Sequence, residues 1–227
     1  LDVHLRRGSA QRRPLVTGGI LMRLEYALSI GEPRSAMIQA IQSRSTGPSH
    51  LTQADVLGTL GLVQKYEGVG LALMMVRYTK DKESHRKAVI GVMAECSKLA
   101  PKYVGSIKTR GQGMALKALA VVAVQHYCRT ADTPGAACQC KGRGNVRDME
   151  ASRLHGKPVD KPCPRCGGTG LRPIPGTQIR RAIEPLLGSL SRGEWERQWY
   201  PLYQAVLAWC HVQESEVEAF YRRVTQG

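Results

Sequence analysis

CQCKGRG at residues 138–144 and CPRCGGTG at residues 163–170 each set a cysteine pair ahead of a Gly-x-Gly tail. Thiolates this close in a tight turn share one ion readily, and zinc takes four such ligands in a tetrahedron. Glycine suits the turn because it adopts positive backbone angles and lets amides approach the sulfurs. The second stretch has the full Cys-x-x-Cys-x-Gly-x-Gly pattern. The first meets it from Cys140 onward but brings Cys138 one residue too close. Three arrangements are open. Cys138, Cys140, Cys163 and Cys166 hold one structural zinc, the shorter pair forming a distorted knuckle; or Cys138 or Cys140 drops out and Cys128, His126 or His155 replaces it; or there is no metal. No open coordination position is suggested, which argues against a catalytic zinc.

Around these knuckles the chain reads as helical. It has 227 residues, enough for a real core, and a hydrophobic share of 42% with only 5% aromatics, so the core is built from Leu, Val, Ala, Met and Ile. Residues 1–21 mix Arg pairs with Gly and Ser, show no period, and are expected to be a poorly ordered extension preceding the core. Residues 22–51 read as a flexible arm. From Thr52 the pattern turns helical, placing Val56, Leu60, Val63, Leu71, Met74 and Met75 on one side, with internal glycines that weaken or break the helix. A second helix is expected from a Ser84 cap, with Val89, Val92, Met93, Cys96 and Leu99 as its stripe and Pro101 as its end. A third, about 109–129, is apolar nearly all round and belongs at the centre of the core.

Residues 137–173, rich in Gly and Pro, suit knuckles and a short hairpin about HGK at 155–157. GTQIRRAIEPLLGSL then predicts a helix with Thr177 near its cap, and SRGE at 191–194 a capping box. Trp195, Trp199, Leu202, Val206 and Trp209 repeat as a helical stripe that Pro201 kinks or starts, and ESEVEAFYRRV reads as a separate terminal helix. The remaining thiols, Cys96 on its stripe and Cys128 and Cys210 at helix ends, read as core packing. The expected architecture is mostly α, with a helical core over 52–136, a zinc-knuckle hairpin inserted at 137–173, and C-terminal helices over 174–227 packing on that core.

Charge narrows the function. The formal net charge of +15 calls for an anionic partner, above all nucleic acid. Between Glu95 and Asp132 the chain has no acid but carries Lys98, Lys102, Lys108, Arg110, Lys117 and Arg129; the cysteine region adds Arg143, Arg147 and Arg165 among others. From residue 182 onward the balance reverses, with six acids against four arginines. Lys98, Lys102, Lys108, Arg110, Lys117, Arg143, Arg147 and Arg165 are thus the candidate DNA contacts. The two helices joined by PKYVGSIKT follow the order of a helix-turn-helix, although the connector is long for one. No run approaches the roughly 18–20 apolar residues of a membrane span, and close cysteine pairs among an odd total of seven suit a reducing cytoplasm.

MRLE at 22–25, YCRTADTPGAAC at 127–138, CPRCGGTG at 163–170 and PLYQAVLAWCHVQES at 201–215 resemble, in that order, the late-gene antitermination protein Q family of lambdoid phages. The resemblance runs from Met22 to the C terminus. It implies a non-enzymatic transcription factor of the bacterial host cytoplasm. Such a factor binds a double-stranded DNA element near the late promoter and engages paused RNA polymerase through the sigma factor and the beta-subunit flap. It then travels with polymerase past terminators, and host elongation factors are further candidate partners. It also implies zinc at Cys138, Cys140, Cys163 and Cys166. Two rivals carry less. DnaJ-type chaperones share the knuckle, but they use four such motifs and a His-Pro-Asp signature, which this chain lacks. A metal-dependent nuclease would need clustered carboxylates, and Asp132, Asp148, Glu150 and Asp160 have no metal-binding spacing. A zinc-containing DNA-binding regulator that does not travel with polymerase is the closer alternative.

Overall fold

The computed structural model describes Leu24, Leu28, Gly61, Val63 and residues 68–226. Helix α1 (Val69–Thr79) begins after Gly68 and stops at Lys80, which turns left-handed at φ 58°. Helix α2 (Lys82–Tyr103) follows, then α3 (Arg110–Tyr127), strand β1 (Asn145–Arg147), helix α4 (Met149–His155), strand β2 (Asp160–Pro162) and helix α5 (Gly176–Leu187). One helical turn, α6 (Arg192–Glu194), leads through a π-turn at Trp195–Trp199 into α7 (Tyr200–Gln226).

Helix α3 is the hub, packed against α2, α5 and α7, while α1 lies against α2 and α7. Its Leu116, Leu119, Ala120, Ala123 and Val124 are buried among Val92 and Cys96 of α2, Ile179 and Ile183 of α5, and Leu202, Val206 and Cys210 of α7. Small residues at every turn of α3 let its neighbours close in, which is why a nearly all-apolar helix sits centrally. The start of α3 is a capping box: the Gln112 amide donates to Thr109 Oγ1 at 3.1 Å, and Gln112 Oε1 accepts from the Thr109 amide at 3.1 Å. A half-buried polar group ties three helices together. Tyr127 of α3 donates its hydroxyl to Glu214 of α7, Arg77 of α1 reaches the same carboxylate at 3.4 Å, and the guanidinium lies 5.5 Å from the centre of the Tyr127 ring.

Several local expectations change. The cap of α2 is Asp81, whose carboxylate accepts from the Ser84 amide at 2.7 Å; both residue types cap well, and Asp81 is the one placed to reach the third amide. The buried stripe of α2 is Ala88, Val92, Cys96 and Ala100, one every four residues, while Met93 lies exposed and Val89 and Leu99 are partly covered. Pro101 does not end this helix. Proline removes one donor yet keeps a helical φ, and the Val104 amide still reaches the Ala100 carbonyl at 2.8 Å. Thr177 is not a cap: α5 starts from Pro175 with no side-chain cap bond.

Ser191 and Glu194 do form the expected capping box. Pro201 lies in the first turn of α7, just after the π-turn in which the Tyr200 amide reaches back to the Trp195 carbonyl. That wider turn opens the ladder where the proline ring would meet the carbonyl four residues back. Trp195, Trp199, Leu202 and Val206 are buried, with Trp209 partly so. ESEVEAFYRRV is no separate helix but the end of α7, because Cys210, Val217 and Tyr221 keep the buried side in phase. Cys210 therefore lies within α7, whereas Cys128 does cap the end of α3.

A smaller apolar cluster joins Val63, Leu71, Met74, Val217 and Tyr221 with Leu24 and Leu28. Those two, the described residues of the expected arm, are helical and buried, and the Leu24 amide donates to Glu218 at 3.1 Å. The extension 1–21, the rest of 22–51, and Val56 and Leu60 lie outside the described residues.

Candidate metal centre

Between α3 and α5 the chain leaves the helical layer as a ribbon. Ala137 and Leu171 bridge at its stem, and β1 pairs antiparallel with β2, with Asn145 opposite Pro162 and Arg147 opposite Asp160. The connection is α4, capped by Asp148 and closed by the left-handed Gly156, instead of a tight hairpin about HGK. Asp148 accepts from the amides of Glu150 and Ala151, which with Lys161 hold its carboxyl below the usual range.

The two cysteine turns face each other across this ribbon. Cys138 Sγ lies 4.0 Å from Cys163 Sγ, Cys140 Sγ lies 3.9 Å from Cys166 Sγ, and all four sulfurs are within 4.8 Å of one another. A tetrahedral zinc with Zn–S bonds of about 2.3 Å sets its sulfurs roughly 3.8 Å apart, so this set fits one such ion. Cys138, Cys163 and Cys166 are buried and Cys140 is partly so. The cluster around them includes little else, only a partly buried Val146. So small an apolar cluster is less than a ribbon of this length needs to stay folded, a shortfall that a metal held by the four sulfurs would make up.

The missing residue of the first pair has a local explanation. In the second knuckle the Gly167 amide reaches the Cys163 carbonyl at 2.9 Å, four residues back, with Gly167 at φ 60°. In the first, the Lys141 amide reaches the Cys138 carbonyl at 2.9 Å, three residues back, with Lys141 at φ 56°. The shorter pair thus closes a tighter turn and places a lysine where its partner has glycine. The Gly-x-Gly tails lock the two knuckles together. The Cys138 amide donates to Gly170 O at 2.8 Å and the Cys163 amide to Gly144 O at 2.7 Å. A Cβ on Gly144 would sit 2.2 Å from Gly168 O, and one on Gly170 would sit 2.2 Å from Gly142 O. Both positions have positive φ, at 76° and 74°, so only glycine fits either.

Burial works to raise the Cys166 thiol, but the amides of Gly170 and Gly168 and the thiols of Cys163 and Cys138 outweigh it and bring it down to about 7. The Gly170 amide stands 3.3 Å from that sulfur. Amides that favour a thiolate also favour the form that binds metal. The alternative ligands lie elsewhere. His126 shares a hydrogen bond with Tyr203 Oη at 2.8 Å, Cys128 Sγ donates to Leu73 O, and His155 is exposed on α4. Burial, with Arg129 adding to it, pushes the His126 imidazole down to about 4.

All eight basic candidates are exposed. Lys98, Lys102, Lys108 and Arg110 flank the α2–α3 corner, Lys117 lies further along α3, and Arg143, Arg147 and Arg165 are on the ribbon. The corner and the stem of the ribbon mark opposite ends of α3, whose 18 residues span about 27 Å. Lys98 pairs with Glu95 at 3.5 Å, Arg147 with Asp160 at 3.7 Å, and Arg165 bonds Gln139. Among the described residues, no helix is long and apolar enough to cross a membrane.

Residues 132–218 match the family described as Antitermination protein Q. Antitermination protein Q of Escherichia phage lambda is 34% identical over 208 residues, covering 90% of this chain and 100% of that protein. The protein of the same name from Salmonella phage P22 matches equally, at 34% over 208 residues and the same two shares. That of Escherichia phage HK022 is 34% identical over 197 residues, 86% of this chain and 95% of its own. With relatives of this identity matched along essentially their whole length, the chain belongs to the antitermination protein Q family.

Proposed function

We propose that this protein is a transcription antitermination factor. It binds a double-stranded DNA element near a promoter and RNA polymerase paused close by, through the sigma factor and the beta-subunit flap, and then stays with polymerase so that it passes terminators. It acts by binding alone, as a regulatory factor instead of an enzyme. One zinc, held by Cys138, Cys140, Cys163 and Cys166, is structural: four thiolates close its coordination sphere, and its contribution is to fold the ribbon. Cations on the ribbon and the α2–α3 corner bind phosphates, and the domains follow accordingly, with 52–136 and 137–173 facing DNA and 174–227 available to polymerase.

The observation that carries this reading is the match to antitermination Q proteins along their whole length, with the four sulfurs gathered at one point. The test is transcription in vitro through a terminator with polymerase holoenzyme, zinc-loaded protein, and a template bearing the cognate late promoter. Readthrough that requires the promoter-proximal element is the expected result. DNA binding without readthrough would instead support a regulator that does not travel with polymerase.

A further inference from the structure

Where the ribbon's stem meets the helical layer, a groove of about 700 Å³ opens. Its basic groups arrive from four separate places: Lys80 beyond α1, His85 in the first turn of α2, Arg129 just past α3, and Arg172 where the chain leaves the ribbon. No Asp or Glu lines it. The nearby Asp81 carboxylate is turned to the Ser84 amide. Local hydrogen bonds aim these cations without neutralising them. Lys80 Nζ donates to Arg77 O at 2.8 Å; Arg129 donates from Nε to His126 O at 3.4 Å and from Nη1 to Arg172 O at 3.2 Å. Carbonyls carry no net charge, so three permanent cations face one concavity with no counter-ion from the described residues. Such an arrangement repels itself unless an anion enters. The start of α5 opens here too, through Pro175 and Gln178, and with no side-chain cap its amide dipole adds positive potential.

Capping of helix C-termini accounts for part of this: Lys80 and Arg129 each hold a last-turn carbonyl. It does not account for Arg172, whose guanidinium caps no helix, nor for the meeting of all four at one groove. Arg172 also roots the ribbon that carries Arg143, Arg147 and Arg165, so an extended polyanion can run from groove to ribbon, which a small free anion cannot do.

We propose that this groove seats a backbone phosphodiester of bound duplex DNA, carrying the DNA across the seam between helical layer and ribbon. The inference rests on the DNA-binding reading above and adds four groups outside the eight candidate contacts: Arg129, from the acid-free basic run, and Lys80, His85 and Arg172, which lie far from it in sequence. The experiment uses the zinc-loaded full chain and a duplex bearing the cognate element, with affinity followed by fluorescence anisotropy across a salt series. Replacing Arg129 and Arg172 together with Gln is expected to weaken binding by about tenfold or more and to lower the salt slope by about 2, roughly 0.9 per lost phosphate contact. The pair Arg129→Lys and Arg172→Lys should recover most of that slope, which a merely unfolded groove would not allow. Lys80→Gln with His85→Gln, the groove's other two basic groups, should lower the slope as well. If both Gln pairs keep the wild-type slope while Arg143→Gln lowers it, the groove inference fails and DNA binding stands. If wild type does not bind the duplex, both fall. Inorganic pyrophosphate in place of DNA separates the sources: binding that the Gln pairs abolish, with DNA affinity untouched, would assign the groove to a free anion and overturn the proposal.

Discussion

Gly144→Ala probes the centre of the ribbon with a single methyl group. The residue has φ 76°, and its new Cβ would lie 2.2 Å from Gly168 O. A left-handed non-glycine residue costs about 1–2 kcal/mol. The overlap must also be relieved by separating the two tails by roughly 1 Å, because carbon and oxygen do not approach much closer than about 3 Å. The tails cannot part freely: Gly144 O accepts from the Cys163 amide at 2.7 Å, and Gly168 stands two residues past Cys166. Losing that hydrogen bond adds about 1 kcal/mol. The total is about 2–3 kcal/mol, and if metal binding is what folds the ribbon it appears as zinc affinity weakened by about 30- to 150-fold. Competition with a chromophoric zinc chelator measures it. Gly156→Ala is the control, since its φ is 63° in the same ribbon but nothing lies within 4 Å of the added methyl; it should lose only about tenfold. Equal losses in the two variants would refute the interlocked tails.

Two further outcomes are expected. His126 is neutral when folded, with its imidazole at about 4 against an ordinary 6.5, so its contribution is present above about 6.5 and is lost as pH falls toward 4. The stability of His126→Gln should fall less than that of wild type across this window by urea denaturation, and parallel curves would contradict the buried neutral ring. Glu214→Ala strands the Tyr127 hydroxyl and the Arg77 guanidinium, and should cost about 2 kcal/mol, less than a fully buried pair because the Arg77 and Glu214 side chains are each about a quarter exposed. A loss under about 0.5 kcal/mol in thermal unfolding would show that the three-helix tie contributes nothing.

The parts of this fold that were legible in the sequence are those encoded within a few residues. The cysteine turns, the Ser191–Glu194 box, the start of the third helix at Thr109 and the tryptophan stripe depend on spacing alone. What was not legible depends on competition or tertiary context. Asp81 and Ser84 are equally good caps by type, and only geometry chooses between them. Pro101 reads as a helix end, yet α2 runs on through it to Tyr103; Pro201, read as a kink or a start, does lie in the first turn of α7, but nothing in the spacing announces the π-turn before it. The left-handed Lys141 has no signature, because lysine rarely adopts that conformation unless the surrounding turn imposes it. Nor does the groove at the seam, whose residues come from distant parts of the chain.

The metal centre is a four-thiolate site only if Cys138, despite the shortened spacing, binds alongside Cys140, Cys163 and Cys166. Native mass spectrometry of the full chain, with thiol alkylation mapped before and after adding a chelator, addresses this directly. One zinc per chain is expected, with four cysteines, Cys138 among them, that become reactive together when zinc is withdrawn, while the buried Cys96, Cys128 and Cys210 stay protected by the helical core. A chain that takes up no zinc, or a zinc-loaded chain whose Cys138 alkylates freely, would contradict the four-thiolate site.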